Sequence, residues 1–368
     1  MVPEVMRAMV LTGHGGIDKL VYREDYPVPS LASGQVLISV KASSVNNTDI
    51  NTRTGWYSPG VTGALTPEIG LRGLQQEDAD MTWDRNPLGF PRVQGAAIAG
   101  EIVAVGEGVP ADRTGERVIV DPVIRDARLP RWARGVVFVG SECDGGYAEY
   151  AAVAAENAFP VRTELSDAEL ACFPCAYSTA EEMLQRTQVH EGETVLVTGA
   201  SGGVGSANVQ LARLRGARVV AVAGASKEAA VRELGADFFI PREEGDLAGA
   251  VHRLVGERSV DVVADVTGGP ALTDMLRVLR RGGRYVTGGA IAGPVPPIDL
   301  RDLIYKDLTM IGVANPERDS FVELVRHIES GELRPVVDKV FPLRELPRAH
   351  EYFVRKAHVG KVVIAVSE

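Results

Sequence analysis

The sequence is short of the residues that several classes of protein require. Its three cysteines are too few and odd in number for a disulfide framework, and Cys172-x-x-Cys175 has no second CxxC pair. A net charge of −10 opposes binding to nucleic acid or an anionic membrane. No run approaches about 18 consecutive apolar residues, and residues 1–20 lack the apolar core of a signal peptide. We therefore expect a cytoplasmic protein without a nucleic-acid or membrane partner and without a redox role for this cysteine pair.

A glycine-rich turn follows an apolar run that begins at Thr194. The β-branched residues of that run predict a buried strand over Thr194 to Thr198, and apolar residues within Asn208 to Arg215 predict a helix. Between them, Ala200, Gly202 and Gly205 match the G-x-G-x-x-G pattern, with alanine in the first position. Small residues allow the tight turn and let a pyrophosphate approach the N–H groups at the helix N-terminus. In this context the pattern predicts a dinucleotide-binding site.

The end of the next predicted strand, Arg218 to Ala223, favours NADP(H) over NAD(H). An NAD site usually has an acidic residue there, which accepts a hydrogen bond from the ribose 2′-hydroxyl. Here the strand is followed by Gly-Ala-Ser-Lys, so Ser226 and Lys227 are candidates for binding a 2′-phosphate, with Arg232 more distant. The alternative is that Lys227 is a solvated residue at the start of a helix.

Two patterns divide the chain into two domains. Residues from Met6 to Tyr150 contain short β-rich runs separated by glycine and proline, which predicts an all-β module. After Pro160, helices and strands alternate, which predicts a parallel doubly wound sheet. Short strands return between Val336 and Val366, so we expect the C-terminus to rejoin the first domain. We place the substrate and catalytic domain at residues 1–160, completed by 316–368, and the cofactor domain at 161–315.

A long segment rich in glycine and proline, residues 57–92, interrupts the β module. It contains an acidic cluster, Glu77, Asp78 and Asp80, together with Trp83. We expect a long loop or a pair of short helices. A segment of this length is often a lid or binding loop, and a surface excursion or an oligomer contact is equally compatible with it.

Three stretches of the sequence resemble one enzyme superfamily, and the resemblance extends over nearly the whole chain. The stretches are Asn46-x-x-Asp49-x-x-x-Arg53-x-Gly55-x-Tyr57, Asp144-Gly145-Gly146-Tyr147-Ala148-Glu149-Tyr150 and His358-Val359-Gly360-Lys361-Val362-Val363. Together with the domain order, they are similar to the medium-chain dehydrogenase/reductase superfamily, in its zinc-independent quinone oxidoreductase (zeta-crystallin-like) branch. The resemblance implies an α/β fold with an N-terminal GroES-like β-rich catalytic domain and a Rossmann doubly wound parallel sheet. It also implies a homodimer or homotetramer.

The same resemblance implies that both zinc sites of the related alcohol dehydrogenases have been lost. Asn46 stands where that family has its first ligand cysteine, and Ala96-Ala97 stand where it has a His-Glu pair. Cys175 remains at the third ligand position, and the lobe that would need four cysteines for structural zinc contains only Cys143. One ligand cannot hold a catalytic zinc ion. We therefore expect no metal.

Without a metal, the expected reaction is NADPH-dependent hydride transfer to a quinone or to a C=C bond conjugated to a carbonyl. The charge that develops on the carbonyl oxygen needs donors, and the candidates are the Asn46 amide, the Tyr57 hydroxyl and backbone N–H groups. Tyr57 or water would deliver the proton. Asp49 completes the predicted catalytic set, although we favour a structural ion pair with Arg53 for it. The predicted NADP(H) contacts are Thr179, Ala200, Gly202, Gly203, Val204, Gly205, Ser226, Lys227, Thr267, Gly288, Asn315 and Lys361.

Three other functions are compatible with parts of the sequence. The glycine turn and Tyr352-x-x-x-Lys356 also match the pattern of a short-chain dehydrogenase. Such enzymes begin at the turn and continue well past the lysine, whereas here 197 residues precede Thr198 and only 12 follow Lys356, so the spacing opposes that family. A zinc-type alcohol dehydrogenase and an NADPH-binding protein without turnover remain open. The residues do not distinguish among a quinone, an enal, an enone and an enoyl thioester as substrate.

Overall fold

The computed structural model describes residues 2–74, 87–126, 128–130 and 135–367. The acidic cluster and Trp83 of the long segment lie outside these ranges. Within them the strands are, in chain order, β1 (Val5–Leu11), β2 (Leu20–Pro27), β3 (Gln35–Ser44), β4 (Arg92–Val93), β5 (Ala97–Val105), β6 (Arg117–Val120), β7 (Val123–Arg125), β8 (Val136–Phe138), β9 (Tyr150–Ala154), β10 (Ala158–Pro160), β11 (Thr194–Val197), β12 (Arg218–Ala223), β13 (Phe238–Pro241), β14 (Val260–Asp265), β15 (Leu279–Thr287), β16 (Thr309–Gly312), β17 (Val337–Pro342) and β18 (Lys361–Ala365).

The α-helices of the described residues are short, and none of them is both long and apolar enough to cross a membrane. In chain order they are α1 (Asn47–Thr54), α2 (Pro67–Arg72), α3 (Asp167–Leu170), α4 (Ala176–Arg186), α5 (Gly203–Leu214), α6 (Glu228–Glu233), α7 (Leu247–Val255), α8 (Leu272–Val278), α9 (Leu300–Tyr305), α10 (Arg318–Glu329) and α11 (Leu346–Val354).

The chain forms two compact units. Unit 1 comprises residues 1–61, 66–175 and 328–368, and unit 2 comprises residues 62–65 and 176–327. Both boundaries of unit 2 lie later in the chain than the expected range of 161–315. The residues after Pro160 stay with unit 1 because Arg117 donates to the Leu165 carbonyl and pairs with Asp167, each at 2.6 Å. Most of α10 stays with unit 2, where Ser320 donates to the Glu182 carboxylate at 2.7 Å.

Unit 1 is built on a seven-stranded sheet with the order β10-β6-β5-β3-β18-β17, in which β9 also pairs with β3. Strand β18 comes from the C-terminal part of the chain and pairs antiparallel with β3, with Val363 opposite Ser44. Just beyond this ladder the Val45 N–H donates to the Val362 carbonyl at 2.9 Å. The pairing therefore brings Lys361, the first residue of β18, beside the residues that follow β3.

Unit 2 is built on a six-stranded parallel sheet with the order β13-β12-β11-β14-β15-β16. The central strand β11 is fully buried at Val195, Leu196 and Val197, as expected for a parallel sheet covered on both faces. This sheet confirms the predicted doubly wound fold. The strand order reverses between β11 and β14, and in such sheets ligands bind outside the carboxyl ends of the strands at the reversal.

Candidate active site

Asn46 lies between β3 and α1 in unit 1, where its amide group is held on both sides. The Nδ2 group donates to the Ser44 carbonyl at 2.9 Å, and Oδ1 accepts a hydrogen bond from the Lys361 ammonium. The Asn46 backbone N–H donates to the Asp49 carboxylate at 2.8 Å. Asn46 is buried, at 6% exposed, so its side chain is surrounded by these partners and not by solvent. Among the described residues only the Ser44 carbonyl accepts from Nδ2, so the second amide N–H can donate to an acceptor from outside the chain.

Lys361 is buried beside Asn46. Its ammonium donates to the Val45 carbonyl at 3.0 Å as well as to Asn46 Oδ1. Burial lowers the pKa of Lys361, and the nearby Cys175, Cys172 and Asp49 act in the opposite direction by favouring the charged form. Since an ammonium has only donors, it requires the oxygen of the Asn46 amide to face it. Lys361 therefore determines which way the amide is oriented.

Asp49, on the first turn of α1, connects three parts of unit 1. Its carboxylate accepts hydrogen bonds from the N–H groups of Asn46 at 2.8 Å and Gly95 at 3.2 Å, and from the Tyr147 hydroxyl at 3.1 Å. Burial raises the pKa of Asp49 to about 6, although these hydrogen bonds and the Lys361 charge act to lower it. The geometry suits a group that positions Asn46.

The expected ion pair between Asp49 and Arg53 is wrong. Arg53 is fully buried and donates to the carbonyl oxygens of Gly15 at 2.9 Å and Gly70 at 2.5 Å. Burial lowers its pKa to about 10. The two side chains lie about one turn apart on α1, but Asp49 faces Gly95 and Tyr147 whereas Arg53 faces the segments before β2 and within α2. Arg53 therefore connects α1 to these segments and does not neutralise Asp49.

The raised pKa of Asp49 predicts a stability change with pH. An unfolded aspartate has a pKa near 3.8, so the folded protein binds this proton more tightly. The resulting stabilisation is fully present below about pH 4 and is lost as the pH rises through about 6. We expect the free energy of unfolding of the wild type, relative to Asp49→Asn, to fall by about 3 kcal/mol between about pH 4 and pH 7. Urea unfolding of both proteins checks this, and a difference that does not change with pH would contradict it.

Tyr57 follows α1, which ends at Gly55 in the left-handed conformation with φ of 76°. Its ring is half-buried and packs edge-on against Trp56, with ring centroids 5.9 Å apart. Burial raises the pKa of the Tyr57 hydroxyl. The hydroxyl thus keeps its proton at neutral pH and can donate a hydrogen bond, but it is a weaker acid than a free tyrosine. This favours Tyr57 as a hydrogen-bond donor over Tyr57 as the proton source.

In unit 2, the glycine-rich turn lies between β11 and α5. Gly199 is the residue in the left-handed conformation, with φ of 56°, so it performs the tight turn for which the sequence pattern suggested Ala200. A Cβ on Gly205 would lie 2.0 Å from the Gly199 carbonyl oxygen, which only glycine avoids. The helix begins at Gly203, and the N–H groups of its first turn have no partner within the helix. This arrangement fits a pyrophosphate.

The other predicted cofactor residues of unit 2 lie at the same carboxyl edge of the parallel sheet. Thr267 follows β14, Gly288 follows β15 and Asn315 follows β16. Thr179 on α4 is adjacent, since its Cγ2 atom lies 3.0 Å from the position that a Cβ on Gly288 would take. Residues separated by more than a hundred positions are thus brought to one edge of the sheet. Lys361, which was also predicted to contact the cofactor, lies in unit 1, where its ammonium donates to Asn46 Oδ1.

Asp265, the last residue of β14, is a buried group that the sequence analysis missed. Its carboxylate accepts from the Thr198 hydroxyl, from the Tyr285 hydroxyl at 2.6 Å and from the N–H groups of Thr267 and Gly268, each at 2.9 Å. It therefore determines the shape of the turns after both β11 and β14. The available signal was an acidic residue directly after the apolar run Val262 to Ala264.

The residues after β12 lie beside a second cation that the sequence analysis missed. Ser226 is exposed, and Lys227 ends a 3₁₀ turn before α6. Arg242, which follows β13, has guanidinium atoms 4.0 Å from the position of a Cβ on Gly224. Arg232 is engaged elsewhere, with the Glu228 carboxylate at 2.8 Å. No sequence signal pointed to Arg242, because it follows β13 and comes near the end of β12 only through the pairing of these two strands.

Comparisons with known proteins show the family of the chain. Residues 32–163 match the family described as alcohol dehydrogenase GroES-like domain, and residues 203–330 match the family described as zinc-binding dehydrogenase. Quinone oxidoreductase of Rattus norvegicus is 30% identical over 370 residues, which cover 98% of both chains. Acryloyl-coenzyme A reductase of Metallosphaera sedula is 30% identical over 373 residues, covering 98% of this chain and 99% of the relative.

The chain belongs to the medium-chain dehydrogenase/reductase superfamily, in its quinone oxidoreductase branch. The predicted family and fold class are confirmed, and the chain is an oxidoreductase. A crystal structure described as an alcohol dehydrogenase from Sinorhizobium meliloti 1021 is 50% identical, with a TM-score of 0.89 over 99% of this chain and 97% of that one. The 2-octenoyl-CoA carboxylase reductase CinF, in complex with NADP and 2-octenoyl-CoA, is 29% identical with a TM-score of 0.83, over 99% of this chain and 88% of that one.

The name of one matching family raises the question of zinc, and the residues of this medium-chain reductase do not fit it. Asn46 Oδ1 accepts from an ammonium, which would repel a metal cation. Cys175 keeps the chemistry of a zinc ligand, but one protein ligand is too few for a catalytic zinc ion. Ala96 and Ala97 offer no side-chain donor. Within the described residues, no group of three His, Cys, Asp or Glu side chains is arranged to hold a metal.

Proposed function

We propose that this protein is an NADPH-dependent, zinc-independent reductase that transfers hydride to a quinone or to the conjugated C=C bond of an α,β-unsaturated carbonyl. The observation that carries the proposal is the Asn46 amide, a neutral donor held between Lys361 and Ser44 with one N–H group available. Such a donor can bind a carbonyl oxygen but cannot replace zinc as a Lewis acid for an alcohol. The acceptor must therefore be one that hydride reduces without a metal.

The chain's own residues supply binding and hydrogen bonds in this proposal. NADPH, when bound, supplies the hydride. The N–H groups of Gly203, Val204 and Gly205 bind its pyrophosphate at the start of α5. The Asn46 amide and the Tyr57 hydroxyl donate to the acceptor's carbonyl oxygen, where negative charge develops. Because burial raises the pKa of Tyr57, water remains an equal contender for the proton.

The names of the relatives support this acceptor class. A quinone oxidoreductase, an acryloyl-coenzyme A reductase and an enoyl-CoA carboxylase reductase each act on a quinone or a conjugated C=C bond. The Sinorhizobium meliloti structure carries the name alcohol dehydrogenase, which keeps that activity as the alternative. The donor set around Asn46 favours the first class because it does not suit zinc.

The deciding experiment measures NADPH oxidation by chelator-treated protein against one quinone, one enone, one enal, one enoyl thioester and one saturated aldehyde. Turnover of a quinone or conjugated alkene after chelation supports the proposal. Aldehyde reduction that chelator abolishes and zinc restores would establish the alcohol dehydrogenase alternative. Tight NADPH binding without turnover of any acceptor would favour a binding protein.

The cofactor preference is a separate prediction. Lys227 and Arg242 place positive charge beside the end of β12, where the 2′-phosphate of NADPH is proposed to lie. We expect Lys227→Ala and Arg242→Ala each to lower the ratio of NADPH to NADH kcat/KM by about tenfold, since each removes one charged hydrogen bond to phosphate. Arg232→Ala is the matched control: Arg232 pairs with Glu228 as Arg242 pairs with Glu243, but it donates to the Asp237 carbonyl before β13, whereas Arg242 follows β13. Equal losses with both cofactors would contradict a 2′-phosphate site here.

We also propose that two copies of the chain pair through β16, giving at least a homodimer. Strand β16 ends the sheet, and its outer hydrogen-bonding groups form an open edge. Helix α9, which precedes it in the chain, carries exposed apolar side chains, among them Leu300 at 57%, Ile304 at 59% and Tyr305 at 75%. An open edge flanked by apolar residues is a site of chain association.

Sedimentation velocity tests this association. We expect the wild type to sediment as a dimer or tetramer and Ile304→Glu to shift it to smaller species, because the substitution buries a charge in the interface. Leu254→Glu is the control: Leu254 is 40% exposed on α7, which packs beside β13 at the opposite edge of the sheet. A monomeric wild type would contradict the proposal.

A further inference from the structure

We propose that Lys361 is a positioning residue that orients and polarises the amide of Asn46. This inference rests on the proposed function and assigns to Lys361 a role different from the cofactor contact that the family resemblance implies. It starts from the strand pairing. Because β18 pairs with β3, Lys361 begins a strand that lies beside Val45 and Asn46, more than 300 residues away in sequence.

The contacts of Lys361 are directed into unit 1. The residue is 3% exposed, and its ammonium donates to the Val45 carbonyl and to Asn46 Oδ1. Cys175 and Cys172 lie nearby as neutral thiols, because burial raises the pKa of each to about 12, so the positive charge is favoured by the ionised Asp49 carboxylate and by the two oxygen acceptors. A buried ammonium retains its charge only with such partners. Its position is therefore determined by Asn46 and its neighbours.

The effect on Asn46 has two parts. The ammonium excludes the flipped amide, because a rotated side chain would place the Nδ2 group against another donor. It also withdraws electron density from the amide through Oδ1, which strengthens the hydrogen bond that Nδ2 can donate in a buried, low-dielectric setting. The Ser44 carbonyl takes one N–H, so the polarised second N–H is the one available to an acceptor.

The chain contains a matched control for this contact. Lys356 donates to Asn47 Oδ1 at 2.7 Å, so a second lysine contacts a second asparagine one residue further along. That pair belongs to neither the predicted catalytic set nor the predicted cofactor site. Replacing Lys356 removes a contact of the same chemistry without affecting Asn46.

The test is a double-mutant cycle with Lys361→Met, Asn46→Ala and the combined variant, with Lys356→Met as the control. We expect Lys361→Met to lower kcat with the best acceptor by about 10- to 50-fold while the NADPH Kd, from fluorescence titration, changes by less than about threefold. In the Asn46→Ala background, Lys361→Met should lower kcat by less than about threefold. Lys356→Met should retain wild-type kcat.

Each other outcome has a defined meaning. An increase of about tenfold or more in NADPH Kd, with kcat unchanged, would make Lys361 a cofactor ligand and overturn the inference. If the combined variant loses as much kcat as the two single substitutions multiplied together, the two residues act independently, and the inference is likewise overturned. Lys361→Arg keeps the charge and should retain at least about one fifth of wild-type kcat, whereas a loss as large as that of Lys361→Met would contradict an electrostatic role. A wild type that reduces no acceptor refutes the proposed function itself, and this inference with it.

Discussion

Replacing Asn46 with alanine should lower kcat/KM for a quinone or conjugated carbonyl by about 100- to 1000-fold, the usual cost of losing one donor to a developing oxyanion. The reason is that the Asn46 amide is the one proposed catalytic group whose direction is determined from both sides, by Lys361 and by Ser44. Alanine leaves the backbone N–H, and therefore its hydrogen bond to Asp49, in place. Stopped-flow measurement of NADPH oxidation at saturating cofactor isolates the chemical step.

Asn47→Ala is the matched control for this prediction. Asn47 is the next residue, begins α1, and uses its side-chain oxygen to accept from Lys356. We expect its kcat/KM to stay within about threefold of the wild type, because it removes a contact outside the proposed site. Equal losses in the two variants would mean that the start of α1 is merely destabilised. An unchanged rate in Asn46→Ala would remove Asn46 from the mechanism.

Gly205→Ala should raise the NADPH Kd by about 100-fold or more, equivalent to about 2.7 kcal/mol. An added Cβ would lie 2.0 Å from the Gly199 carbonyl oxygen and 2.6 Å from its carbonyl carbon. These are backbone atoms, so α5 must move away from the turn that it follows. That movement displaces the N–H groups of Gly203 and Val204 from the pyrophosphate. Fluorescence titration with NADPH measures the effect.

Gly245→Ala provides the comparison within unit 2. Nothing lies within 4 Å of the Cβ that this substitution adds. We expect its NADPH Kd and unfolding temperature to match the wild type. Without cofactor, the midpoint temperature of thermal unfolding should be lower for Gly205→Ala than for Gly245→Ala, since the clash lies within the turn itself. Wild-type NADPH affinity in Gly205→Ala would show that the cofactor does not bind at this turn.

Local patterns in the sequence were sufficient to predict much of unit 2. Strand β12 begins and ends at the predicted residues, because a run rich in valine is a local signal. The start of α3 also depends on a local pattern: Ser166 and Glu169, three residues apart, exchange hydrogen bonds at 3.3 and 2.8 Å. Helix α5 begins at Gly203, before the apolar residues within Asn208 to Arg215 that predicted it, since its glycine-rich first turn has no apolar period.

The partners of charged groups were the least predictable feature. Asp49 and Arg53 have the spacing of a helical ion pair, yet each is bound to groups from distant segments. Arg242 gave no usable signal, and Asp265 gave only that of an acidic residue at the end of a strand, because the roles of both depend on which strands are neighbours in the sheet. Spacing along a helix reports which residues share a face, but it does not report what packs against that face.

The sequence alone was sufficient to predict the superfamily and the two domain types, and to propose the glycine-rich turn as a cofactor site; the resemblance added that Asn46, Ala96 and Ala97 stand at zinc-ligand positions. Each depends on residue types at short spacing, where side-chain volume and chemistry act directly. Only the tertiary structure decided that Gly199 makes the tight turn, that Asp265 joins two loops and that Lys361 contacts Asn46. These contacts join residues that are distant in sequence, and the pairing of β18 with β3 brings the last of them together.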